Sequence, residues 1–153
     1  MSEHRAVVHW QNDTATLDYD RFSRDHTWQV KEGRVTVPAS SAPAYLGSAD
    51  RMDPEDALVA AISSCHMLTF LAIAARKRLV VLDYSDVATG WLEPNAEGQV
   101  ALTRVELAPR VRLAPGSTLS GEDYLKIHEK AHRGCFIANS VKANVTCRPT
   151  LEQ

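Results

Sequence analysis

The sequence predicts an α+β fold in which antiparallel sheets pack on one long central helix that carries a cysteine. Three observations predict it. Residues 57–75 run without a formal charge, as a buried central helix does. Stretches with strand-like apolar alternation flank that run, separated by turns rich in Gly, Pro and Asn. The order is strands, helix, strands, helix, strand, which argues for antiparallel sheets over a parallel strand–helix–strand series.

Each element has its own local reason. Residues 5–10 and 14–19 read as strands around Gln11-Asn12-Asp13, and residues 26–30 and 34–37 as a hairpin turning at Glu32-Gly33. Residues 38–52 are a loop rich in Pro, Ala, Ser and Gly. Asp53 then caps a helix with Pro54 at its first position and Glu55 and Asp56 in its first turn. That helix runs to about Lys77, where Arg76, Lys77 and Arg78 suit its negative end. Two long strands, 79–93 and 99–113, flank the loop Pro94-Asn95-Ala96-Glu97-Gly98. The apolar alternation of the second shifts between Leu102 and Val105, which marks a bulge. Ser120 or Gly121 caps a second helix, with Leu125, His128, Ala131 and His132 on one face and Gly134 as its stop. Residues 135–140 form a turn or short helix, and residues 141–147 a last strand.

The chain has 153 residues, enough for one domain with its own core, 1–153. A net charge of −2 supplies no basic excess for nucleic acid. The start, Met1-Ser2-Glu3-His4-Arg5, leads into a strand-like run and not an apolar leader. Three cysteines are too few for a disulfide-stapled secreted domain, so a reducing cytoplasm is expected. The apolar run at 57–75 has the length of a membrane span, but it holds Ser63, Ser64, His66 and Thr69, and no second span follows. A buried helix and no membrane are expected. One small sheet covers only one face of such a helix, so a second copy is expected to cover the other, as an obligate homodimer.

Cysteine chemistry is the main functional clue. Cys65 lies within the apolar helix, and Cys135 follows the stop of the second helix. A thiol in apolar surroundings is inert unless a cation stabilises its thiolate, and a second thiol matters when it can resolve an oxidised first one. The alternative is that Cys65 is a small core hydrophobe. Cys147, in phase with Val145 and Ala143, reads as structural. His128, His132 and Cys135 form His-x3-His-x2-Cys, a possible metal spacing to which Cys65 or His66 would add a ligand, though no stronger metal signature supports it. A Cys65–His132 hydrolase is a further alternative, but no orienting third group can be named. Asn139 and Ser140 cap or line the turn after Cys135, and Trp10, Trp28 and Trp91 read as core or interface residues.

Asp53-Pro54-Glu55, then Cys65 ten residues after the Glu, then Ala131-His132-x-x-Cys135 before a last strand, resembles the OsmC/Ohr family of thiol peroxidases across almost the whole chain. The resemblance implies an intertwined homodimer and a peroxidase needing neither metal nor other cofactor. In it Cys65 attacks the peroxide and becomes a sulfenic acid, and Cys135 condenses with it to a disulfide that an external dithiol reduces. It also implies that Glu55 orients an arginine beside the thiolate. Arg24 fits best, with Arg21 next. A guanidinium there lowers the thiolate pKa.

The chain departs from the family pattern in having Phe136 after the second cysteine where proline is common, His66 after Cys65 where an apolar residue is common, and no paired glycines beside the arginine. His66, His132, Phe136 and Asn139 are expected to line the site, with Leu68, Phe70 or Phe136 as apolar walls that favour organic hydroperoxides over hydrogen peroxide. Ten helical residues separate Glu55 from Cys65 by about 15 Å. Either the helix breaks near Ser63-Ser64, or Glu55 serves the partner subunit's Cys65, which places the sites at the dimer interface. The rival classes are a non-catalytic dimeric binding module for an apolar ligand and a Cys/His metal-binding protein.

Overall fold

A computed structural model of the chain describes residues 2–152, which fall into two compact units, one running to Ala57 and the other starting at Leu58.

The first unit is a three-stranded antiparallel sheet of β1 (Ala6–His9), β2 (His26–Val30) and β3 (Val35–Ala39), in that order. The β2–β3 hairpin is the one expected from sequence. Its turn places Lys31, Glu32 and Gly33 all at positive φ (54°, 58° and 83°), so Gly33 takes a conformation that strains other residues. Residues 14–19 are not a strand. The Asn12 side chain donates to the Thr14 carbonyl (2.8 Å) and accepts from the Thr14 N–H (3.2 Å) and hydroxyl (3.0 Å). Such local bonds offer the backbone an alternative to a ladder, and β1 pairs with β2 instead, Val8 opposite Trp28. The loop before the long helix holds a short 3₁₀ turn, Pro43–Tyr45. Asp53 caps the helix as expected: its Oδ1 accepts from the Asp56 N–H at 2.8 Å.

The helix α1 (Pro54–Arg76) runs on into the second unit without a break. It is long and apolar enough to cross a membrane by length and composition alone. Here a stripe one turn apart, Ile62, His66, Phe70 and Ala74, is buried, while Ala60, Ser64, Leu68 and Ala72 form an exposed stripe. Phe70 and Ala74 pack with Val111, Tyr124, Ile127 and Ala131, and Ile62 packs with Val105 and Leu107.

The expected two long strands are four shorter ones: β4 (Val81–Asp86), β5 (Thr89–Pro94), β6 (Val100–Leu107) and β7 (Pro109–Leu113). A helix α2 (Gly121–Gly134) follows, then β8 (Asn144–Cys147) and β9 (Thr150–Glu152). One sheet has the order β4-β7-β9 and the other β5-β6-β8. The chain changes sheet between β4 and β5 and again at Ala108. Asp86 ties this corner: its Oδ1 accepts from the Ala108 N–H (2.7 Å), and its Oδ2 accepts from the Ser63 hydroxyl on α1 (2.5 Å). The proline that opens β7 has no N–H to continue a ladder. The bulge is where the sequence places it, with the β5–β6 register slipping opposite Thr103. The sheets are mixed, which corrects the antiparallel expectation: β8 runs parallel to β6 and β9 parallel to β7.

Ser120 caps α2 by accepting from the Asp123 N–H at 3.1 Å. Its buried face is Tyr124, Ile127, His128 and Ala131. Leu125, expected on that face, is half exposed because the apolar stripe lies one position to the side.

Candidate active site

The end of α2 positions the second thiol. Cys135 is its C-terminal cap residue, with the backbone N–H on the His132 carbonyl at 3.2 Å. Its side chain is 1 % exposed. The sulfur lies 3.8 Å from the Ile62 carbonyl of α1 and accepts from the Ala138 N–H at 3.4 Å. The Cys65 side chain, half-buried on α1, lies near enough to act on this thiol. Burial pushes the Cys135 thiol pKa up and the neighbouring Cys65 pushes it further, while the Ala138 N–H pulls it back down. All three cysteines are free thiols. Thr69, whose hydroxyl donates to the Cys65 carbonyl at 2.9 Å, also sets how closely the helices approach. A Cβ added at Gly134 would stand 3.1 Å from its methyl.

Glu55 and Arg24 lie in the first unit. No break occurs at Ser63-Ser64, so ten residues of continuous helix, about 15 Å of axial rise, separate Glu55 from the Cys65 of its own chain. That removes one of the two alternatives for bringing them together. The Arg24 guanidinium donates to the carbonyls of Phe22 (2.6 Å) and Tyr19 (2.5 Å), with its carbon 3.8 Å from the Phe22 ring centre. With Val8, Trp10, Leu17, Phe22 and His26 it lines an apolar pocket of about 420 Å³. Arg21 is exposed and 4.0 Å from Asp18.

Several expected site residues sit elsewhere. Phe136 is 79 % exposed and Leu68 60 % exposed, so neither walls a buried pocket. Phe70 is fully buried against the rings of Tyr84, Tyr124 and His128. Asn139 closes the helix end by donating from its amide to the Arg133 carbonyl at 3.0 Å. Trp91 stacks under Arg104, and Trp10 donates to the Ser23 carbonyl.

Two of the histidines form a second cluster with Cys147, which the sequence reads as structural. His66 points into the core, with its Nε2 at 3.0 Å from His128 Nδ1 and the two rings 12° from parallel. The Cys147 sulfur lies 3.7 Å from the first nitrogen and 3.8 Å from the second. These three residues can converge on one metal ion. Burial holds both imidazoles neutral. It takes His66 down to about 4, helped by His132 and opposed by Asp86, and His128 to about 3, helped by His66. Of this cluster the sequence names His128 and, as one of two options, His66, but not Cys147. Cys147 stands 81 residues from His66, and no local period connects them.

The family of OsmC-like proteins matches residues 47–150. An OsmC-like protein of unknown function from Vibrio cholerae is similar in structure, with 41 % identity, coverage of 97 % of this chain and 99 % of that one, and a TM-score of 0.93. Two more distant structures share the fold. An organic hydroperoxide resistance protein from Elizabethkingia anophelis is 16 % identical, with 100 % and 97 % coverage and a TM-score of 0.74. The organic hydroperoxide resistance protein OhrB of Bacillus subtilis is 14 % identical, with 99 % and 98 % coverage and a TM-score of 0.63. No curated protein matches the sequence.

Proposed function

Because the chain belongs to the OsmC-like family, we propose that it is a cysteine-based thiol peroxidase that reduces organic hydroperoxides. The observation that carries this reading is the meeting of two free thiols, Cys65 on α1 and Cys135 after α2, from positions seventy residues apart. The Cys65 thiolate attacks the distal peroxide oxygen, the O–O bond breaks, and the alkoxide takes a proton and leaves as the alcohol. Cys65 is then a sulfenic acid. Cys135 attacks its sulfur, expels water and closes a disulfide, which an external dithiol reduces. The raised pKa of Cys135 suits the resolving role, since it stays a thiol while Cys65 meets the peroxide.

Glu55 and Arg24 complete the site from the partner subunit in a homodimer. The unbroken α1 supports this assignment, because it keeps Glu55 away from the Cys65 of its own chain. The exposed stripe of α1 supplies a surface for the second copy. The apolar pocket beside Arg24 favours a hydroperoxide with an organic group. The protein acts as one OsmC-like domain in the cytoplasm, where reduced thiols persist. The same pocket also supports a second reading, a non-catalytic dimeric module for an apolar ligand.

Consumption of cumene hydroperoxide and of hydrogen peroxide with a dithiol reductant separates these readings. Wild type should prefer the organic peroxide and lose two hydrogens in mass after one equivalent. Cys65→Ser should consume neither, and Cys135→Ser should stop at a sulfenic acid trapped by dimedone. Unmodified thiols and no turnover in wild type would reject the peroxidase.

A further inference from the structure

We propose that His66, His128 and Cys147 form a metal site for a late transition ion, zinc(II) above all, separate from the Cys65–Cys135 pair. The three ligand atoms are separated by 3.0, 3.7 and 3.8 Å. The nearest point equidistant from them lies about 2.0 Å from each, and an ion slightly off their plane lies farther, where zinc takes about 2.0–2.1 Å to imidazole nitrogen and about 2.3 Å to thiolate sulfur. Two imidazoles and a thiolate are a borderline-to-soft set, which selects zinc, cobalt(II) or copper over magnesium or calcium.

Hydrogen bonding alone leaves this cluster incomplete. Two neutral imidazoles carry two ring N–H groups, and their mutual bond uses one. The outward atoms, His66 Nδ1 and His128 Nε2, have no hydrogen-bond partner among the described residues, so in either tautomer one buried N–H is left over. The charge pattern suits a cation. Asp86 lies near enough to act on both His66 and Cys147, so a divalent ion, one thiolate and one carboxylate sum to neutrality. Asp86 is itself fixed by Ser63 and the Ala108 N–H.

The site is reachable. His128 and Cys147 line a cavity of about 240 Å³ together with His132, Glu129, Leu125, Val145 and Pro149. Three protein ligands leave a fourth position for water, and His132 also lines that cavity. Binding is a simple exchange: the Cys147 S–H proton goes to solvent as the S–Zn bond forms, and no oxidant is needed.

Cobalt(II) titration of the metal-free, reduced protein tests this. Wild type should saturate at one ion per chain with a thiolate-to-cobalt charge-transfer band that zinc(II) displaces. Cys65→Ser and Cys135→Ser should keep the band, and Cys147→Ser and His128→Gln should lose it. Loss of the band in Cys65→Ser or Cys135→Ser would overturn the assignment, as would unsaturable binding without a band. X-ray absorption on zinc-loaded wild type needs no variant. Two nitrogens and one sulfur in the first shell support the site, whereas two sulfurs, or oxygens alone, reject it.

Discussion

The second unit holds two sulfur neighbourhoods whose residues alternate along one helix. Cys65 meets another thiol, while His66, the next residue, points into the core and meets a second imidazole and Cys147. A helix turns about 100° per residue, so neighbours in sequence serve different surroundings. Burial acts on both places, but the partners differ. A thiol beside a thiol can form a disulfide. A thiol beside two neutral imidazoles can only share a proton or a cation. What a cysteine does here follows from what the fold sets against it, and not from its exposure, since Cys65 and Cys147 are both half-buried.

The widest separation between the two neighbourhoods should come from removing Cys65. Cys65→Ser is expected to lower kcat/KM for cumene hydroperoxide by on the order of 10³-fold or more, about 4 kcal/mol of transition-state stabilisation. Cys135→Ser should instead leave the first oxidation intact and stop the cycle after it. Rapid-mixing measurement of a single turnover would distinguish them. Equal loss of the first oxidation in both variants would merge the two roles.

Phe70→Ala strikes the imidazole neighbourhood. The ring is fully buried, with its centre 4.4 Å from that of His128. Its loss should cost about 3–4 kcal/mol in urea unfolding, from lost burial and the cavity left behind. A cost under about 1 kcal/mol would mean that α1 and α2 collapse freely around the gap, and that the imidazole pair is not held rigidly.

Gly90→Ala tests how closely α1 rides over β5. An added Cβ would stand 2.6 Å from a Val59 methyl and 3.0 Å from a Leu102 methyl. Val59 is β-branched and cannot swing away cheaply, so overpacking of about 1–2 kcal/mol is expected. Val59→Ala in the same chain should recover most of it. No recovery would place the strain elsewhere in the strand.

Local chemistry was the legible part of this protein. Asp53-Pro54 announced the helix start, Glu32-Gly33 the turn, and the shifted alternation after Leu102 the bulge. The misses are places where a contact distant in sequence, or a side chain turned onto its own backbone, overrides the pattern. Asn12 holds residues 14–19 in a loop despite their strand-like alternation. Asp86 and the Ala108-Pro109 step cut two long strands into four, and only the proline was a visible signal. The parallel pairing of β8 and β9 rests on partners about forty residues away, which periodicity cannot register. The Cys65–Cys135 pairing came from the family resemblance, while the apolar walls inferred from residue type alone, Leu68 and Phe136, are exposed.

The smallest effect lies in the pH dependence of Cys135. Burial and the Cys65 thiol raise its pKa above the ordinary thiol value, so the folded protein keeps this proton after the unfolded chain has lost it. Between those two values the native state binds more protons, and stability must fall as pH rises. Below the ordinary value, about 8.5, both states are protonated and the group contributes no slope. Above it, one thiol contributes at most about 1.4 kcal/mol per pH unit, levelling off once the native thiol also ionises. Urea unfolding of reduced, metal-free wild type and Cys135→Ala at intervals from pH 7 to pH 10 reads the contribution of the thiol pair, because the other buried acids, Cys147, Tyr84 and Tyr124, remain in both proteins. The difference in stability between the two should be constant near neutrality and shrink steadily on the alkaline side. A difference that stays flat to pH 10 would mean that Cys135 ionises as easily in the fold as in the unfolded chain. The raised pKa would then no longer support a resolving role for Cys135.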